Sequence, residues 1–115
     1  MSGERMRRVD EAMRQVLGDA LAQDLKDPRV GFVTVTDVKT SPDLRHARVY
    51  VSVLGDDGAQ AATLDGLRSA HGYLQGRVAG ELRLRRTPEL RFELDHTAQR
   101  AARLERLIDE EVGGA

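Results

Sequence analysis

The chain has no cysteine and no tryptophan, and only two phenylalanines and two tyrosines. Without cysteine there are no disulfides, no thiolate catalysis and no thiolate metal ligation, which fits a reducing compartment. So few rings leave a core of leucine, valine and alanine. Tyr50, Tyr73, Phe32 and Phe92 occupy strand or helix positions that suit the core, so recognition by stacking on single-stranded bases is not expected. No apolar run reaches secretory or membrane-spanning length, which reads as a cytoplasmic protein without a membrane partner. With 115 residues the chain is expected to form one domain, 1–115, with its core over about 6–95.

A large excess of one charge is also missing, the formal net charge being -1. That average conceals a division. Residues 68–91 carry six arginines against two glutamates, whereas from 93 onward there are six acids and three arginines. A local field, not a whole-chain sum, binds phosphate. On the residues alone, solvation of an outer helix face accounts for these arginines as well as phosphate binding does.

Leu64, Leu67, Ala70, Leu74, Val78 and Leu82 recur three or four apart between Ala59 and Arg86, so a helical conformation places them on one apolar stripe. Gly66, Gly72, Gly76 and Gly80 weaken that helix by roughly 1 kcal/mol each relative to alanine. Three of them, four apart, line a second face without side chains. A helix of this length is expected to break, and Gly66, Gly72 and Gly76 are the candidate places. Asp57 is expected as its N-cap, with Gln60 completing a capping box.

Around this stretch, Val9, Met13, Val16, Leu17, Ala20, Leu21 and Leu25 predict a first helix from Met6 to Lys26, stopped by Asp27-Pro28. Phe32 to Lys39 reads as a strand with Val33 and Val35 on one side and Phe32, Thr34, Thr36 and Val38 on the other. Thr40-Ser41-Pro42-Asp43 is turn-rich. Ala47, Val49, Val51 and Val53 then alternate as the second arm of an antiparallel hairpin. Leu90, Phe92 and Leu94 predict a third strand after Pro88, and Ala101, Leu104, Leu107 and Ile108 a C-terminal helix over 97–111. The order helix, strand, strand, helix, helix, strand, helix defines an α+β sandwich of two layers with one sheet face open.

Catalytic signals are poor. His46, His71 and His96 have no second imidazole or carboxylate at ligand spacing, so no metal site and no cofactor is expected. Asp56-Asp57 is explained by a turn and a helix cap, and Ser41 and Ser52 have no evident base. A non-enzymatic protein is expected. Arginine donors suited to phosphates favour nucleic acid, recognised by shape and backbone.

Four stretches in order resemble the bacterial ribosome-binding factor A family: Lys26-Asp27-Pro28-Arg29-Val30-Gly31, Thr40 to Leu44 running into Ala47-Arg48-Val49-Tyr50-Val51, Ala70-His71-Gly72-Tyr73-Leu74, and Leu82 to Phe92. The resemblance implies a type II KH-like domain with core order α-β-β-α-α-β and a kink between the two central helices at Ala70-His71-Gly72. It implies a monomeric, non-enzymatic assembly factor that binds the free small ribosomal subunit and its rRNA. Late maturation, including 5′-end rRNA processing, cold adaptation and release by a maturation GTPase go with it. Carried onto this chain, the RNA-facing residues are Arg68, His71, Gly72, Arg77, Arg83, Arg85 and Arg86, with Arg5, Arg7 and Arg8 beside them. Gly76 and Gly80 depart from the family's pattern, and the longer charged tail that some members have is not expected after residue 111. The competing class is a protein-interaction or oligomerisation module that uses the glycine face or the last helix, with Leu104 or Ile108 as the residues whose change would abolish binding.

Overall fold

The computed structural model describes residues 3–97. Its elements are α1 (Gly3–Gln23), β1 (Val33–Thr40), β2 (His46–Val53), α2 (Asp57–Ser69), α3 (His71–Leu82) and β3 (Glu89–Leu94). The order is α-β-β-α-α-β, as expected. The helix expected over 97–111 lies outside the described residues, apart from its first position.

α1 stops at Gln23, short of the expected Lys26, and the Asp24 N–H closes its last turn on the Ala20 carbonyl at 2.9 Å. Its buried face is Met13, Val16, Leu17, Ala20 and Leu21. The sheet order is β1-β2-β3, with β1 and β2 antiparallel and β2 and β3 parallel. The parallel pair follows from the α2–α3 crossover, since parallel neighbours need a connection of a dozen or more residues.

The expected alternation along β1 fails at one place. The ladder pairs Val35 with Val51 and Asp37 with Tyr50, leaving Thr36 as an extra residue. A bulge of this kind resets which side chains face inward. Val35 and Val38 are therefore both buried, and Asp37 and Lys39 are turned to the open face. β2 keeps strict alternation, with Ala47, Val49 and Val51 fully buried, and Leu90 and Phe92 continue that layer from β3. Leu67, Leu74 and Val78 close the core from the helix side, and no helix described covers the opposite sheet face.

The N-cap of α2 is Asp56, one residue before the expected Asp57, and its carboxylate accepts from the Ala59 N–H at 2.8 Å. Gln60 Nε2 donates to the Gly55 carbonyl at 3.3 Å in place of the reciprocal capping bond. Gly55, at φ 134°, makes the turn that sets this offset.

The Lys26-to-Gly31 stretch is a strap over α2. The Asp27 carboxylate accepts from the Arg29 N–H at 2.9 Å and from its guanidinium at 2.6 Å, and Arg29 Nη2 reaches Ser69 Oγ at 3.1 Å. Buried Thr63 donates to the Arg29 carbonyl at 3.3 Å and accepts from the Gly31 N–H at 3.4 Å. Val30 then sits so close that a Cβ on Gly66 would lie 2.6 Å from its Cγ2. A Cβ on Gly76 or Gly80 would meet nothing within 4 Å. The same substitution therefore has opposite signs on these neighbouring helices. Gly66→Ala is expected to destabilise by about 1–2 kcal/mol through overpacking, and Gly76→Ala with Gly80→Ala to stabilise by about 1–2 kcal/mol. Denaturant midpoints of the two variants read the contrast directly.

Asp95 ties the end of β3 to the bulge, accepting from Thr36 Oγ1 at 2.6 Å and from the Thr97 N–H at 2.9 Å. These donors, Thr36 first, lower its pKa to about 2. Asp27, held by Arg29, is also lowered to about 2. Both folded-state values lie below the unfolded one, so their stabilisation is complete above roughly pH 4 and is lost as pH falls toward about 2. Asp95→Asn is expected to flatten acid unfolding in that window, followed by circular dichroism, with little change in its pH dependence above pH 5.

Candidate nucleic-acid interface

The residues expected to face RNA fall into three settings. The first is the helix break. α2 ends at Ser69 and α3 begins at His71, with Ala70 between them at φ -88°, ψ 8°. The Ala70 N–H is shared between the Gly66 and Leu67 carbonyls, each at 3.1 Å. A Cβ on Gly72 would meet nothing within 4 Å, so clearance at the turn is not what glycine supplies there. Arg68 Nη2 donates to the Phe92 carbonyl at 3.5 Å. With half-buried His71 and residues 90–93 it lines a groove of about 350 Å³ along the outer edge of β3. The adjoining part of that edge is covered by the Gln75 amide, which donates to the Pro88 carbonyl at 2.5 Å and accepts from the Leu90 N–H at 3.2 Å. A side chain thus does the work of a neighbouring strand and leaves the Arg68–His71 section as the accessible one.

The second setting is one end of the sheet. Arg83 caps α3 in the left-handed conformation, φ 47°, ψ 41°, and turns the chain out into the segment with Arg85 and Arg86. All three arginines are exposed, and among the described residues no carboxylate forms an ion pair with them. This segment enters β3 where the Glu89 N–H donates to the Arg45 carbonyl at 2.8 Å, the end at which β1 finishes and β2 begins. Asp10 accepts from the Thr40 N–H at 3.0 Å, which brings the start of α1 to the same end. Arg5, Arg7 and Arg8 ride on it, Arg8 paired with Glu4 at 3.4 Å.

The third setting holds Arg77 alone. Its guanidinium is engaged by Asp24 at the end of α1 and by Glu81 at 2.7 Å, while the Tyr73 phenol donates to Asp24 at 2.6 Å. The Tyr73 phenol and Glu81, with Asp24 beside them, raise the Arg77 pKa. Its charge is answered within the domain, and it ties α3 to α1. The i,i+4 spacing to Glu81 was the one visible signal of this.

The aromatic residues also differ from expectation. Phe92 is in the core, but Phe32 is 82 % and Tyr73 49 % exposed, and Tyr50 lies half-buried on the open sheet face. The physical reason is strand parity: Tyr50 alternates with buried Val49 and Val51, and Phe32 precedes inward Val33. Among the described residues no group of three or more His, Asp or Glu is placed to hold a metal ion.

The fold and these exposed cations define a small α+β domain with a basic sheet end and a groove beside an edge strand. The family model for ribosome-binding factor A matches residues 5–108, and the chain belongs to that family. Its fold is similar to that of a Thermotoga maritima protein described as a ribosome binding factor A, solved by NMR in solution, at 37 % identity, 81 % of this chain, 89 % of that one and a TM-score of 0.72. The crystal structure of ribosome-binding factor A from Thermus thermophilus matches at 28 % identity, 77 % and 93 % coverage and a TM-score of 0.70. Coordinates of the Thermus protein fitted into a cryo-EM map of a 30S complex match at 31 % identity, 75 % and 90 % coverage and a TM-score of 0.61.

Proposed function

We propose that this chain is a non-enzymatic assembly factor of the small ribosomal subunit, built on a type II KH-like two-layer sandwich kinked at Ala70-His71-Gly72. It acts as a cytoplasmic monomer that binds the free subunit and its rRNA, assists late maturation including 5′-end processing, serves growth in the cold, and leaves through a maturation GTPase. The observation that carries this reading is family membership over residues 5–108, joined to exposed Arg83, Arg85 and Arg86, with which no described carboxylate forms an ion pair. Arg68 and His71 present the groove beside β3 with Gly72 next to them in the chain, Arg83, Arg85 and Arg86 the sheet end, and Arg5, Arg7 and Arg8 its flank. Arg77 holds α3 in place.

The mechanism is stabilisation of one rRNA conformation. A folded domain that sets its arginines at fixed backbone positions binds one arrangement of phosphates better than others and shifts the population toward it. Sedimentation with purified small subunits, mature and immature, at graded salt tests it. Binding is expected to prefer the immature subunit and to weaken steeply with salt, by about 0.7–0.9 in log-log slope for each phosphate contact. Salt-insensitive binding abolished by changes at Leu104 or Ile108, both outside the described residues, is the signature of the protein-interaction alternative.

A further inference from the structure

The uncovered sheet face carries two adjacent rows of opposite character. Across the three strands, Lys39 pairs with Arg48 and Arg48 with Arg91, so three exposed cations stand in register. In the next row Asp37 pairs with Tyr50 and Tyr50 with Glu93. Like charges directly opposite across a ladder destabilise it. Among the described residues, no carboxylate forms an ion pair with Lys39, Arg48 or Arg91. Within the domain, the Tyr50 side chain and then the charge of Glu93 in the next row act on Arg48 and raise its pKa, while the row of three cations itself keeps a net positive charge that an outside anion can meet.

Two clefts meet at Tyr50, one of about 320 Å³ lined by Lys39, Arg48 and Arg91 among others, and one of about 410 Å³ lined by Asp37 and Glu93 among others. Arg91 also lines the groove beside β3, so it joins the open face to the Arg68–His71 section. The bulge at Thr36 is what brings Asp37 and Lys39 to this face.

Resting on the reading of this chain as an rRNA binder, we propose that the open sheet face is a second RNA site, which takes a single-stranded segment with its phosphates on Lys39, Arg48 and Arg91 and a base on Tyr50. The chemistry of the two rows is complementary to a nucleotide. Cations meet the backbone, the phenol ring offers a stacking surface, and the flanking carboxylates repel phosphate from the ring while accepting from exocyclic amines such as that of cytosine. The strand spacing of roughly 4.8 Å spreads the three cations over about 10 Å of backbone.

The test uses the full chain and a fluorescein-labelled cytidine octanucleotide. Anisotropy titration at graded salt is expected to show binding that Lys39→Ala with Arg48→Ala weakens by about tenfold or more, with the salt slope reduced by roughly 1.4. Tyr50→Leu is expected to weaken it by about tenfold. Amide shifts of the unaltered protein on adding the oligonucleotide, expected at Lys39, Arg48, Tyr50 and Arg91, are independent of whether the variants fold. No binding, or shifts confined to residues 68–72 and 83–86, overturns the second site. If the unaltered protein then still sediments with small subunits, only this inference falls; if it fails to sediment, the proposed function falls with it.

Discussion

Replacing Arg85 and Arg86 together by alanine is expected to lower affinity for the small subunit about a hundredfold while leaving the melting temperature within about 2–4 °C. Both side chains are exposed and make no ion pair with a described residue, so the folded domain loses no ion pair to a described residue when they are truncated. Surface substitutions of this kind change stability by less than about 0.5 kcal/mol. Binding loses more, because a charge-assisted hydrogen bond to phosphate contributes about 1.5 kcal/mol or above, and each 1.4 kcal/mol is a factor of ten. Sedimentation at graded salt also gives the slope, which should fall by about 1.4–1.8 for two lost phosphate contacts. An unchanged affinity and slope in this double variant removes the sheet end from the interface. Arg77→Ala is the internal contrast, since Asp24 and Glu81 already neutralise that guanidinium and its loss loosens α3 from α1.

The contrast between Arg77 and Arg85 marks where the sequence stops being informative about the site. Element order and inward faces were legible because periods of about 3.6 and 2 are local properties: Met13, Leu17 and Ala20, or Ala47, Val49 and Val51, declare their side without reference to anything distant. The bulge was not, because an extra residue in β1 is defined only by its partner strand. Its one local trace is that Val35 and Val38 are three apart while the strand needs both inside. Charge pairing failed to show for the same reason, since Asp24 and Arg77 are far apart in the chain and meet only after α1 and α3 pack. The basic end was assembled likewise, from α1, the β1–β2 turn and the α3–β3 segment, three places that topology alone makes neighbours. Tyr50 was expected in the core because it lies in a strand, whereas its alternation with buried Val49 and Val51 places it on the opposite face.

Leu74→Ala is expected to produce the reverse pattern, a large loss of stability with the binding chemistry intact. Leu74 is fully buried one turn after the helix break, where its N–H donates to the Ala70 carbonyl at 3.0 Å. Its side chain belongs to the cluster that joins α1 and α3 to the sheet, so truncation opens a void that three elements would have to move together to fill. Leucine-to-alanine changes at such sites cost about 2.7–5 kcal/mol, a large part of the 5–15 kcal/mol that holds a domain of this size. At roughly 4–8 °C per kcal/mol the melting temperature should fall by more than about 10 °C. Gln75, the next residue, still bonds the β3 edge through Pro88 and Leu90, and the arginines on either side keep their charges. At low temperature, where the variant remains folded, subunit affinity and salt slope are therefore expected to match the unaltered protein, and both should collapse on warming through the lowered transition. A variant that stays folded in the cold yet binds with a reduced slope would mean that the packing of α3, and not the exposed guanidinium groups alone, sets the phosphate contacts.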